Sequence, residues 1–119
     1  IENVISAVDV SSIYELPILY HQEGLDRIVL SHFSLPTDTA PNLSNWENIV
    51  YRIKHPKDSI KIAVVGKYIE LKDAYLSIYE AITHSAIYHN IKVDIKQVDS
   101  EVIKDYKGAS KILSDVSGI

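Results

Sequence analysis

The alternation of apolar and polar positions divides the chain into a helical first part and a strand–helix–strand second part. "NVISAVDV" (3–10) alternates loosely and is rich in Val and Ile, which predicts a short strand or extended segment. Ser11 and Ser12 then stand as candidate N-caps. Pro17 lacks an N–H and clashes with a preceding helical turn, so it belongs in a first turn. The prediction is one turn over 13–16, a helix opening at Pro17, and a left-handed stop at Gly24. Leu25, Ile28, Val29 and His32/Phe33 recur at helical spacing and predict a second helix. "SLPTDTAPN" (34–42), with two prolines and small polar residues, is a loop. Ser44-Asn45-Trp46-Glu47 has the capping-box pattern, and the helix it opens carries Trp46, Ile49, Val50 and Ile53 as its apolar stripe. Pro56 marks its end.

From Ser59 the period changes. "SIKIAVVG" is β-branched and almost continuously apolar, as suits a strand covered on both faces of a parallel sheet. "LKDAYLSIYEAITHSAIYHN" (71–90) is periodic over about five helical turns, with Leu71, Ala74, Tyr75, Ile78, Ala81, Ile82 and Ser85 on the expected apolar face and Asn90 at its end. "IKVDIKQVDS" (91–100) alternates apolar with Lys92, Asp94 and Lys96, a strand with one wetter face. Strand, helix and strand make a βαβ unit with an expected right-handed crossover. After it come a short helix or loop and, at 117–119, the expected start of a third strand. A unit with two strands buries too little for comfortable stability alone.

Composition narrows the classes. The 119 residues suit about one domain, with 46% hydrophobic and 24% charged residues. The net charge of −4 carries no basic footprint for nucleic acid. No apolar run is long enough for a bilayer span, and no signal-peptide pattern opens the chain. The absence of cysteine excludes a disulfide, a thiolate metal site and a cysteine nucleophile within these residues, and fits a cytoplasmic setting. There is no Met, and the apolar pattern stops abruptly at Ile119, so a fragment of a longer chain is expected.

"VVGKYIEL" (64–71) raises the question of a phosphate loop. Such a loop needs two glycines with four residues between them, then Lys and Ser/Thr, so that successive N–H groups curl around phosphate. Here only Gly66 precedes Lys67, and Tyr68 stands where the metal-binding hydroxyl belongs. Gly66 reads better as a turn at a strand end. Ligands of open α/β sheets lie beyond the carboxyl ends of the strands, so Lys67 and Tyr68 still fall at the working edge. His84 and His89, five apart, point to different helix faces, and His21, His32 and His55 show no carboxylate at useful spacing, so no metal site is expected. Asp9 is a candidate N-cap or ligand contact. Asp73 is a helix-dipole partner. Tyr75 and Tyr79 are core and rim. The residues alone show no nucleophile, paired base or metal cage.

"VISAVDVSSIYELPILYHQEGLD" and "KIAVVGKYIELKDAYLSIYEAITH" resemble adjoining signature regions of the glutamine-hydrolysing CTP synthases. The likeness includes the Trp-bearing helix between them and "IKVDIKQVDSE" after them. It implies an α/β chain made of three parts. Residues 1–41 would be the helical C-terminal end of a synthetase domain, and 42–58 an interdomain linker helix. Residues 59–119 would be the incomplete βαβ start of a flavodoxin-like class I amidotransferase domain. The family uses ATP and Mg to activate UTP, which ammonia drawn from glutamine converts to CTP. GTP activates, CTP inhibits, and the enzyme is a homotetramer. By resemblance Val8, Asp9 and Val10 are adenine-side ATP contacts, and Lys67 and Tyr68 lie at the interface of the two domains, by the ammonia route. The family often has a basic residue at Val8 and an acid at Ser11, so only backbone contacts carry over at Val8. Its phosphate loop, glycine-rich oxyanion loop and Cys–His–Glu group have no counterpart here. The chain alone is therefore expected to bind no cofactor and to be inactive. The alternative is a truncated, non-catalytic paralogue acting as a binding or interaction module.

Overall fold

The structure, a computed structural model, describes residues 3–119, with only the backbone of Lys72. Its contacts fall into two compact units, up to Lys54 and from His55 onward.

In the first unit, residues 4–10 form no strand, and most of them are exposed. The β-branched run has no neighbour to pair with among the described residues, so it stays irregular. A 3-10 turn spans Ile13–Glu15, with the Ser12 hydroxyl accepting from the Tyr14 N–H at 3.4 Å. Helix α1 (Leu16–Gln22) carries Pro17 in its first turn, as expected. Gly24, at φ 82°, ends α1 and also serves as N-cap of α2 (Leu25–His32). Only a residue tolerant of the left-handed region makes both ends meet there. Helix α3 (Ser44–Lys54) packs against the 3-10 turn and α1. Its start is shifted from the expected capping box. Ser44 is already helical, and Asn42 Oδ1 accepts its N–H at 3.0 Å. Lys54 reaches Glu15 at 3.2 Å, which ties the end of α3 to the turn before α1.

In the second unit, β1 (Asp58–Gly66) and β2 (Ile91–Asp99) pair in parallel, Asp58 level with Ile91 and Gly66 level with Asp99. Helix α4 (Lys72–His89) connects them and packs on β2. Asn90, at φ 56°, closes it in the left-handed region that Asn tolerates. A 3-10 turn over Ser100–Val102 and helix α5 (Tyr106–Ile112) follow, the latter capped by Asp105 accepting from Gly108 N–H at 2.7 Å. Where a third strand was expected there is a single bridge: Gly118 pairs with Ile62 in parallel, on the edge of β1 away from β2.

Register assigns the sheet faces. Ile60, Ile62 and Val64 lie level with Val93, Ile95 and Gln97 on one face, which Gly66 shares and where it meets Tyr75 of α4. Lys61, Ala63 and Val65 lie level with Asp94, Lys96 and Val98 on the other. There Asp115 accepts from Lys61 at 2.9 Å and from Lys96 at 2.6 Å, and Lys96 also donates to the Ile112 carbonyl. Ala63 and Val98 on this face are buried, as are Ile69 and Ala86 elsewhere in the unit. Both faces of the pair are thus in use, as the continuous apolar run required.

The expected apolar face of α4 is corrected in part: Tyr75 and Ile82 turn inward as expected, and the other five positions do not. Tyr75, Tyr79, Ile82 and Ala86 turn inward, whereas Leu71, Ala74, Ile78, Ala81 and Ser85 are exposed. Both stripes are apolar at helical spacing, so periodicity alone could not choose between them.

The clasp at Asp115 has a pH consequence. Hydrogen bonds from Lys61, then from Lys96, hold its carboxyl far below the usual carboxylate range. A depressed carboxylate stabilises the fold above its unfolded pKa, and that contribution is lost as pH falls through the folded value. Asp115→Asn should therefore lower the urea midpoint at pH 7, and the gap to the parent chain should narrow progressively below about pH 4. A gap that stays constant down to pH 2 would show that the clasp does not form in solution.

Candidate functional site

The carboxyl ends of β1 and β2 come together because the register sets Gly66 beside Asp99. Between β1 and α4 runs the loop Lys67-Tyr68-Ile69-Glu70-Leu71. Three features fix it. Ile69 is buried, at 6% exposure, and anchors the loop from below. The Tyr75 hydroxyl donates to the Lys67 carbonyl at 2.7 Å. The Leu71 N–H donates to the Tyr68 carbonyl at 2.9 Å, closing a turn.

Tyr68 sits inside that turn at φ 55°, a region a bulky side chain rarely adopts. The residue is 75% exposed. A recess of about 330 Å³ opens here, lined by Tyr68, Ile69, Glu70, Leu71, Asp99 and Glu101. The Lys67 ammonium lies 3.6 Å from the Glu101 carboxylate, a solvent-exposed pair of modest energetic weight. Asp99 is engaged as a cap, accepting from the Glu101 N–H at 2.9 Å.

Chemically, the recess offers carboxylates and an aromatic ring on a braced backbone, with the Lys67 ammonium paired to one of those carboxylates. It has no glycine-lined cradle of N–H groups. Gly66, the residue before Lys67, is spoken for: a Cβ there would overlap the Tyr75 hydroxyl. The glycine answers to the tyrosine beside it, and it is the last paired residue of β1, where the sequence had suggested a turn residue.

Lys67 and Tyr68 are thus placed together at the sheet's carboxyl edge. Val8, Asp9 and Val10 belong to the first unit, in the irregular stretch before the 3-10 turn, Val8 and Asp9 exposed and Val10 half-buried. Tested against ATP, these three offer one carboxylate and backbone groups, with no cationic side chain for phosphate. They do not by themselves make a nucleotide site. Among the described residues no three His, Asp or Glu side chains gather as metal ligands. No described helix is long and apolar enough to cross a membrane.

Two features were missed by sequence reasoning. Glu101 and Asp99 enter the site through strand register, which pairing the two apolar runs end to end would have revealed. His21 does have a carboxylate partner, contrary to expectation: its Nδ1 lies 2.7 Å from Asp26 Oδ2. The five-residue spacing is outside helical pairing rules. The left-handed turn at Gly24 brings the end of α1 and the start of α2 together. The hydrogen bond from His21 is the main reason the Asp26 carboxyl lies below its ordinary range. A shallow apolar groove of about 460 Å³ lies beside this pair, with Pro17, Tyr20, Val29 and Pro41 among its walls.

A parallel βαβ unit with a braced loop at its carboxyl edge places the second unit among α/β proteins. The comparisons with known proteins then narrow the class. No family model matches the chain. CTP synthase of Azospirillum brasilense is 48% identical over 118 residues, covering 99% of this chain and 22% of that protein. CTP synthase of Carboxydothermus hydrogenoformans is 48% identical over 116 residues, covering 98% of the chain and 21% of that protein. That of Gluconobacter oxydans is 42% identical over 118 residues, with 99% and 22% covered. The chain belongs to the CTP synthase family and spans about 22% of the length of the curated relatives it matches.

Proposed function

We propose that the chain works as one segment of a CTP synthase, an enzyme of pyrimidine nucleotide synthesis. That enzyme uses ATP and Mg to aminate UTP to CTP, with glutamine or ammonia as nitrogen source. The carrying observation is identity of 48% spread over 99% of the chain, through both units and the loop between β1 and α4.

In this reading residues 1–41 end the synthetase domain, 42–58 link, and 59–119 open a flavodoxin-like class I amidotransferase domain. The sheet order, with β1 between β2 and the strand that Gly118 opens, supports the last assignment. Val8, Asp9 and Val10 touch the adenine side of ATP through their backbone. Lys67 and Tyr68 face the junction between the domains, and the buried Ile69 and the Tyr75 hydrogen bond support that role by holding both at fixed positions. GTP activation, CTP inhibition, tetramer assembly and a cytoplasmic setting follow from family membership and belong to the whole enzyme.

The test is a graft. The Azospirillum brasilense enzyme, with this chain in place of its matching stretch, should make CTP from UTP, ATP and glutamine. A soluble graft that makes no CTP from either glutamine or ammonia would overturn the reading.

The chain by itself should hydrolyse no glutamine, because it has no cysteine to act as nucleophile. A nucleophile and its base act as a unit, so a site lacking the nucleophile loses nearly all of its rate. Ammonia release from glutamine by the purified chain should match the protein-free blank. Release well above it would show a different active centre.

A further inference from the structure

A tie crosses the carboxyl edge of the sheet, from the loop after β1 to the turn after β2. Its two side chains are Lys67 and Glu101, and both spring from a fixed backbone. On the first side the Tyr75 hydroxyl donates to the Lys67 carbonyl at 2.7 Å. On the second side the register sets Asp99 level with Gly66, and Asp99 Oδ1 accepts the Glu101 N–H at 2.9 Å. The Ile103 N–H donates to the Ser100 carbonyl at 3.3 Å and closes the 3-10 turn that holds Glu101. From these set points the Lys67 ammonium and the Glu101 carboxylate come to 3.6 Å of each other. Glu101 lines the recess beside Tyr68, so the tie stands at the rim of the candidate site.

The pair contributes little to the fold. Its side chains are 65% and 67% exposed. Water and salt screen such a pair, and its net effect on stability is close to nothing. Its effect on direction is larger. A lysine ammonium on its four-carbon stem swings through a wide arc. A carboxylate carried on a fixed turn weights that arc toward one side, here toward the turn after β2. Asp99 is engaged by the Glu101 N–H, and Glu101 meets the ammonium. The two acids at the end of β2 thus divide the work: Asp99 sets the turn, and Glu101 sets the cation.

We propose that Glu101 is a positioning residue for Lys67. Its carboxylate holds the Lys67 ammonium in one place at the junction between the domains, and glutamine-dependent CTP formation depends on that place. The proposal rests on the reading of the chain as a CTP synthase segment with Lys67 at that junction. It adds a residue from the opposite side of the recess, which acts on the reaction only through Lys67.

A double-mutant cycle in the Azospirillum graft tests this. The parent graft, Glu101→Gln, Lys67→Gln and the double variant are compared by CTP formation from UTP, ATP and glutamine at low ionic strength. Glutamine is varied to separate kcat from KM. Glu101→Gln should lower kcat about two- to fivefold, the bias an exposed ion pair exerts. In the Lys67→Gln background the same substitution should have no further effect, because the group it positions is gone. Added salt should shrink the gap between the parent graft and Glu101→Gln, since it screens the pair. The urea midpoint of the chain should be unchanged by Glu101→Gln. In a CTP-producing graft, an unchanged kcat for Glu101→Gln, or an equal loss in both backgrounds, overturns the inference and leaves the functional reading standing. A loss that tracks a lowered urea midpoint makes Glu101 a structural residue and also overturns it. A parent graft that makes no CTP overturns the functional reading, and the inference falls with it.

Discussion

Gly66→Ala is expected to destabilise the second unit by about 2 kcal/mol, within the range for forcing a methyl into a filled site. The added Cβ would overlap the Tyr75 hydroxyl, and the ring carbon Cζ would lie 2.9 Å away. Tyr75 cannot swing aside cheaply. Its hydroxyl holds the Lys67 carbonyl, and its ring stacks with Tyr79 at a centroid distance of 6.1 Å. Tyr75→Phe alone should cost about 1 kcal/mol, the usual weight of one hydrogen bond. Combining the two should cost less than their sum, because removing the hydroxyl removes the worst overlap. The relief stays partial, since Cζ and Cε1, at 2.9 and 3.1 Å, remain close. Urea denaturation followed by circular dichroism measures all four corners of the cycle. Strict additivity would mean that the tyrosine does not seat on the strand end in solution. In the enzyme graft, Gly66→Ala should also depress glutamine-dependent CTP formation, because the loop that carries Lys67 and Tyr68 shifts with the strand end.

This pair shows how far the sequence could be read. That Gly66 opens no phosphate cradle was legible, because a single glycine precedes Lys-Tyr, but its place as the last paired residue of β1 was not. Its reason lies nine residues on, at Tyr75, and only the packing of α4 reveals it. Element positions were legible wherever a local device marks them: Pro17 in a first turn, Gly24 and Asn90 in the left-handed region, continuous apolarity in β1. The inward face of α4 was legible only at Tyr75 and Ile82, because two neighbouring stripes are both apolar and the sheet decides between them. The Asp115 clasp joins residues 54 apart in sequence, and His21–Asp26 depends on a bend. Neither spacing belongs to any local rule. At the site, Lys67 and Tyr68 followed from the strand end, whereas Asp99 and Glu101 needed the register between β1 and β2.

Ala63→Leu should cost about 2 kcal/mol, again by overpacking. Ala63 is 2% exposed at the centre of β1, and its N–H donates to the Gly118 carbonyl at 2.9 Å. Its side chain shares a face with Lys61 and Lys96, over which Asp115 draws the end of α5. Three added carbons have nowhere to go unless that segment lifts. Lifting it would also pull Asp115 from both lysines. The effect of Asp115→Asn should therefore be smaller in the Ala63→Leu background than in the parent, a coupling expected of residues that share one closure. Ala81→Leu is the matched control: the same added volume on the exposed stripe of α4 should change the stability of the isolated chain by no more than about 0.5 kcal/mol. Urea midpoints with unchanged slopes would give all of these values. If Ala63→Leu proved as mild as Ala81→Leu, the segment after α5 would not be closed down on the sheet, and the bridge to Gly118 would not mark the place of a third strand.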